Sequence, residues 1–282
     1  VLESKKAYFP NLHQSYELLR RNAGIPSVRE ERRIRPIHIW QIAAAVFFIV
    51  AASSIYLSTI GKKVEPNLLQ QYIPTAEVHT LTLPDGTKVQ LNSQSTLLYP
   101  QEFTGKDRSV FLIGEANFKV KPNKKHPFIV KSNDFQVTAL GTEFNVAAYP
   151  ENPIIAATLI SGSVLVEYND LNSQMILKPN EQLAYHKHTR QYHLDTPDMN
   201  DITAWQRGEL VFREMNVKEI ITILERKYPY TFEYRLKNLK EDKYSFRFKD
   251  KAPLSEVMDV IVNVVGQMDY KIQGDCCYLI PK

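Results

Sequence analysis

From Ile42 to Ile60 the chain carries no charged residue. At helical rise that run measures roughly 28 Å, about the thickness of a bilayer's hydrocarbon core. It predicts a transmembrane helix over 37–60, with residues 1–36 on one side and 61–282 on the other. Before it, Leu12, Tyr16 and Leu19 recur at i, i+4 and i+7 with Leu18 beside them, and Gly24 and Pro26 follow. This spacing predicts a short amphipathic helix, one that is marginal by itself. A docking helix and a disordered juxtamembrane tether both fit.

Beyond the run, Gly61, Pro66 and Pro74 mark a tether over 61–75, and the period then becomes two. Leu81 and Leu83 alternate with threonines, Pro84-Asp85-Gly86 supplies a turn whose glycine takes positive φ, and Val89 and Leu91 continue. That is a hairpin. Short strands are predicted at 109–113, 117–121, 128–131, 136–140, 143–149, 157–160, 164–168, 182–186 and 191–194. So many short strands without a helix between them predict an all-β sandwich or roll over 76–195.

After a linker at 196–207 the pattern alternates strand and helix. One unit runs from Phe212 through Val217, Ile220, Ile221 and Leu224 to a strand at 231–234; the other runs from Phe248 through Leu254, Val257, Met258, Ile261 and Val265 to a strand at 270–272. Asn216 with Glu219 reads as a capping box, Pro253 as a first-turn proline and Gly266 as a helix stop. Two β-α-β halves predict a small α+β domain at 208–282 with its helices on one sheet face. The expected class is a single-pass membrane protein with an outer β sandwich or roll followed by this βαβ repeat.

Charge orients the span. Arg20, Arg21, Arg29, Arg32, Arg33 and Arg35 precede it, and only Lys62 and Lys63 follow closely. Basic segments stay in the cytoplasm, so the N-terminus is expected inside. Residues 1–36 hold eight Lys/Arg and four Glu, which leaves 27 of each sign beyond them and assigns the whole net charge of +4 to the inner segment. The outer part therefore has no charge argument for nucleic-acid binding. A cleaved signal peptide is the rival reading of the run, but both its basic region and its core exceed the usual pattern. The chain opens on Val, which leaves open whether sequence upstream is missing.

Tests for chemistry return little. The two cysteines, Cys276 and Cys277, are adjacent and cannot staple distant elements. His186, His188 and His193 cluster without an acidic ligand at suitable spacing and read as a hairpin edge. Ser161-Gly162-Ser163 reads as a turn, and no phosphate loop or dinucleotide fingerprint occurs. No enzyme activity, metal or cofactor is expected.

Many ordered segments then carry a resemblance: Leu83-Pro84-Asp85-Gly86-Thr87, Leu91-Asn92, Ser95, Tyr99-Pro100, Arg108, Gly114-Glu115-Ala116 with Phe118, Pro127-Phe128, Leu140-Gly141-Thr142, Phe144-Asn145-Val146, Gly162-Ser163-Val164 and Pro179. Over 76–195 the chain resembles the FecR family, single-pass anti-sigma regulators of Gram-negative bacteria. Asn117 and Asn180 depart from its usual aromatic and glycine. Residues 208–282 look like the C-terminal domain of Bacteroidetes members, related to secretin and TonB short N-terminal domains.

The resemblance implies an inner-membrane relay with a cytoplasmic N-terminus and a periplasmic C-terminus. A TonB-dependent outer-membrane receptor would present its signalling domain, and an extracytoplasmic-function (ECF) sigma factor would be regulated inside, controlling nutrient-uptake genes. An intramembrane protease is a further implied partner. The inner segment is shorter than in many relatives: either its upstream part is missing, or its contact with sigma is reduced to Leu12, Tyr16, Leu18 and Leu19. Receptor contact is expected through strand pairing or an apolar groove, at Val217, Ile220, Ile221 and Leu224 or at Tyr244, Phe246 and Phe248, residues that serve equally well as core. The competing functions are an anchored carbohydrate-binding protein using Tyr149, Tyr185 and Tyr192, and an envelope scaffold.

Overall fold

The computed structural model describes residues 11–24, 36–60, 67–133, 135–168, 173–234 and 242–282. Strand pairings dominate it. The chain forms two units, 1–64 and 65–282.

In the first unit, α1 (Leu12–Asn22) and α2 (Pro36–Ile60) are helical. The described side chains of α2 are those of residues 40–56, and they are apolar all round: Trp40, Ile42, Phe47, Phe48, Ile49, Val50 and Ile55 are all exposed. Among the described residues no helix is long and apolar enough to cross a membrane.

The second unit begins with thirteen strands in one curled sheet. They are β1 (Leu68–Tyr72), β2 (His79–Thr82), β3 (Lys88–Leu91), β4 (Thr96–Pro100), β5 (Arg108–Lys119), β6 (Phe128–Ser132) and β7 (Phe135–Ala139). Then come β8 (Glu143–Ala148), β9 (Ile154–Ser161), β10 (Val164–Tyr168), β11 (Ser173–Leu177), β12 (Gln182–His186) and β13 (Tyr192–Asp195). β5 organises the curl. Its first half pairs with β4 and with β6, and from Gly114 onward it pairs with β3 and β8. Alternate side chains of both halves meet in one apolar core, where Phe118 stacks on Phe144 at 5.3 Å and packs against Phe128 at 5.9 Å.

Two expectations change here. The tether expected over 61–75 is shorter, because Leu68–Tyr72 pairs with β4 as an edge strand. The separate strands expected at 109–113 and 117–121 are one strand bent at Gly114, whose φ is 102°. Glycine permits the corner without breaking the ladder. The hairpin at Pro84-Asp85-Gly86 forms as read, β2 against β3.

The linker at 196–207 folds into a single helical turn, α3 (Met199–Ile202), and a 3₁₀ turn, Ala204–Arg207. Next come β14 (Leu210–Met215), α4 (Val217–Lys227), β15 (Thr231–Tyr234), β16 (Tyr244–Phe248), α5 (Leu254–Val265), β17 (Met268–Gln273) and β18 (Cys276–Pro281). Both bonds of the Asn216–Glu219 capping box are present, and Gly266 stands at the end of α5. Pro253 occupies the N-cap of α5 rather than its first turn. In place of one sheet there are two. β14 pairs with β16, while β15, β18 and β17 form a second, with β15 parallel to β18. α4 and α5 bury their apolar faces in a core of their own.

Candidate functional site

The polar residues at the heart of the β-rich part gather around one carboxyl. Glu115 sits just past the corner of β5, with Asn92 beyond β3 on one side and Asn145 on β8 on the other. Asn92 Nδ2 donates to Glu115 Oε2 at 2.8 Å, and Asn145 Nδ2 donates to Oε1 at 2.9 Å. Ser95 Oγ accepts from the Glu115 backbone N–H at 2.9 Å. Tyr149 Oη donates to the Ser93 carbonyl at 2.9 Å and closes the group. These bonds are what make a carboxyl tolerable beside the curled sheet, since an unpaired one would be expelled or protonated.

Burial pushes the Glu115 carboxyl above its ordinary value, and the amides of Asn145 and Asn92 and the charge of Arg226 pull it part of the way back. Burial also raises the Tyr149 phenol, with the Glu115 charge adding to it. An acid whose pKa rises on folding holds its proton more tightly in the folded state. Its contribution to stability is therefore present below the unfolded pKa and lost as pH rises through the folded one. Measured by urea unfolding, Glu115→Gln is expected to gain stability relative to the native chain as pH climbs from about 4.5. A difference that does not change with pH would refute this reading.

Arg226, at the end of α4, reaches this network from the C-terminal part. Its Nη1 pairs with Glu151 Oε1 at 2.9 Å, and its guanidinium lies 3.8 Å from the centre of the Tyr149 ring. Around the joint lies a cavity of about 250 Å³. One wall is polar, with Glu115, Asn145, Thr158 and Gln182. The other is largely apolar, with Ile202, Leu210, Ile223 and the Trp205 ring.

Residues 72–165 match the sequence model described as FecR protein, and residues 209–279 match the one described as FecR, C-terminal. Two crystal structures of a candidate anti-sigma factor from Parabacteroides distasonis ATCC 8503, at 2.50 Å and 1.65 Å, are 31% identical to this chain. Each alignment covers 76% of this chain and 99% of the other, with TM-scores of 0.71 and 0.70. This chain belongs to the FecR family. No curated protein matches it.

Several FecR-like positions acquire a physical role. Asp85 of the Pro84-Asp85-Gly86-Thr87 turn accepts from the Thr87 backbone at 2.9 Å and from its hydroxyl at 2.6 Å. It also pairs with Arg108 at 2.6 Å. Arg108 in turn donates to the carbonyls of His126 and Lys121. Asn92, Glu115 and Asn145, three further positions in the resemblance, form the carboxyl network.

The residues expected to meet the receptor fare differently. Val217, Ile220, Ile221, Leu224 and Phe248 are buried in the core of the C-terminal part and offer no free surface. The helical spacing that suggested a groove-binding face is the face turned toward their own sheets. Tyr244 and Phe246 are half-buried on β16, which among the described residues pairs with β14 alone. On α1, Tyr16, Leu18 and Leu19 are exposed, and the Leu12 side chain lies outside the described residues.

The sugar platform does not assemble, because Tyr149 and Tyr185 are buried and only Tyr192 is open. His186 faces His188 at 6.1 Å, and its Nδ1 accepts from the Thr189 N–H. Among the described residues no cluster of three or more ligating side chains could hold a metal. Sequence reasoning missed Arg226 altogether. Its signal was a cation two residues after Leu224, off the apolar stripe yet next to the last apolar turn of α4.

Proposed function

We propose that this FecR-family protein is a single-pass transmembrane anti-sigma regulator. It relays a signal from a TonB-dependent outer-membrane receptor to a cytoplasmic ECF sigma factor that controls transcription of nutrient-uptake genes. The observation that carries this reading is the likeness to the Parabacteroides anti-sigma candidate across nearly all of that protein's length. A 25-residue apolar helix lies ahead of the matched region, and the arginine-rich segment lies ahead of the helix.

A helix apolar on every side belongs in a protein core or a bilayer. The side chains of α2 from residue 40 to residue 56 are nearly all exposed, which favours the bilayer. With arginines before it, the N-terminus is cytoplasmic and residues 61–282 are periplasmic. The exposed apolar side chains of α1 suit a sigma-binding role. One membrane helix transmits little rigid motion, so an intramembrane protease acting near α2 is the expected output step. A receptor domain can shift this equilibrium only through a difference in affinity between two states.

Receptor contact is assigned to the C-terminal part through strand addition at β16, where Tyr244 and Phe246 remain accessible in part. Deleting residues 208–282 is expected to abolish pull-down of the receptor's signalling domain by the membrane-anchored chain. Capture at the native level after the deletion would sink the assignment.

A further inference from the structure

The end of α4 makes polar contacts with the β-rich part. The Ala76 N–H donates to the Arg226 carbonyl at 2.9 Å, and Gln94 Nε2 donates to the Glu225 carbonyl at 3.3 Å. The Arg226 side chain adds its ion pair to Glu151 and its place over the Tyr149 ring. Carbonyls that a helix end leaves without partners are thus satisfied by the neighbouring domain.

We propose that this joint is a releasable clamp centred on Arg226, which holds the two parts of residues 65–282 closed and opens without unfolding either core. The proposal does not depend on which partner the protein serves. Four observations carry it.

Arg226 follows Leu224 by two residues, about 200° around the helix, so it points away from the core that Leu224 fills. Only 7% of it is exposed, and its ion-pair partner Glu151 and the Tyr149 ring beneath it both belong to the β-rich part. Opening returns the guanidinium to water and loses nothing from the core of α4.

The joint is also poorly sealed. The two apolar cores are separate clusters, and between them the cavity sets a polar wall against a largely apolar one. Among the described residues, Asn145 Oδ1 and Trp205 Nε1, both at this cavity, have no hydrogen-bond partner. Such a contact resembles a transient interface, for which relative domain motion is the default.

The third observation is electrostatic. Closing removes the Arg226 guanidinium from water against a Glu151 carboxylate whose side chain stays 44% exposed, and the cost of desolvation offsets much of their attraction. Opening lets the guanidinium rehydrate.

Finally, the two residues that donate to the end of α4 are held in the left-handed region, Ala76 at φ 65° and Gln94 at φ 56°. For residues with a Cβ that backbone is disfavoured. It is retained where surrounding contacts enforce it: the Ala76 backbone bond crosses the joint, while Gln94 is also held by the Pro74 carbonyl and by Thr75 Oγ1 within the β-rich part.

The Ala76 amide reports closure directly, because its acceptor lies across the joint. Hydrogen exchange of the full chain in mild detergent resolves it from amides inside β5 and the β17–β18 pair. In the native chain Ala76 is expected to exchange about a hundredfold faster than those two sets, as sub-global opening requires. Arg226→Ala is expected to speed Ala76 by a further tenfold or so and leave both sets unchanged. Arg226→Lys, which keeps the charge without the planar stacking, is expected to fall between. Three outcomes would overturn the clamp. One is Ala76 exchanging in step with the cores. Another is Arg226→Ala accelerating all three sets together, which would make Arg226 part of the fold. The last is an Ala76 rate indifferent to Arg226→Ala, since a frayed loop would ignore the guanidinium.

Discussion

Arg108→Ala is expected to lower the unfolding free energy of residues 65–282 by about 3–5 kcal/mol, the range for breaking a buried pair from one side. The side chains of Arg108 and Asp85 are only 5% and 10% exposed. Surface pairs contribute about 0–1 kcal/mol, so the two cases are easily separated. Removing the guanidinium leaves the Asp85 carboxylate without its counter-charge, and it takes donors from the carbonyls of Lys121 and His126. It also removes a cation 5.5 Å from the centre of the Phe128 ring. The turn at 84–87, the start of β5 and the entry to β6 come loose together. Urea unfolding measures the effect. Asp85→Asn is expected to cost a similar amount, and the double variant less than the sum, because neither charge is then left alone. A loss under about 1 kcal/mol for Arg108→Ala would place the pair in the surface class and void this account.

Gly114→Ala is the second large effect, expected at roughly 3–5 kcal/mol from backbone strain and steric displacement acting together. A Cβ there would collide with Ser95 Oγ and lie 2.7 Å from Ser95 Cα. The second contact is with backbone, so no side-chain rotation relieves it. Ser95 accepts from the Ile73 amide through its carbonyl and from the Glu115 amide through its hydroxyl. Displacing it therefore disturbs both the edge of the sheet and the carboxyl network. Gly274→Ala is the matched control. Its φ is 58° and a Cβ would meet nothing within 4 Å, so only the left-handed penalty of roughly 1–2 kcal/mol applies. Thermal unfolding of both variants checks the contrast. Equal losses would show that crowding at the corner contributes nothing.

Both effects arise at positions that stood out in the chain, yet neither mechanism was readable there. Asp85 and Gly86 announced a turn through local chemistry. The partner of Asp85 is 23 residues away, and no spacing rule connects them. Gly114 looked like a strand boundary because glycine weakens strands. In the structure it lets a single strand serve both halves of the sheet, which depends on what lies across from it. β1 was missed for the opposite reason. As an exposed edge strand it has Leu68, Leu69 and Tyr72 all open to the surface, so it lacks the alternation that burial of one face imposes.

Determined by the sequence alone are the features that depend on near neighbours. They are the apolar run and its arginine flank, the period-two strands, the switch to strand and helix after residue 208, the capping box at Asn216, and the family likeness that follows from their order. Each rests on residues within a few turns or strand lengths of one another, where backbone geometry leaves few choices. The tertiary structure alone decided which apolar faces are core and which are free. It turned Val217, Ile220, Ile221 and Leu224 inward and left Tyr16, Leu18 and Leu19 outside. It also brought Asn92, Glu115, Asn145 and Arg226 to one point. Buried polar groups must find partners wherever the fold supplies them, and these partners come from segments up to 134 residues apart in the numbering. Local pattern carries no record of such a meeting, because it is set by how the sheet curls at Gly114 and how α4 ends against it.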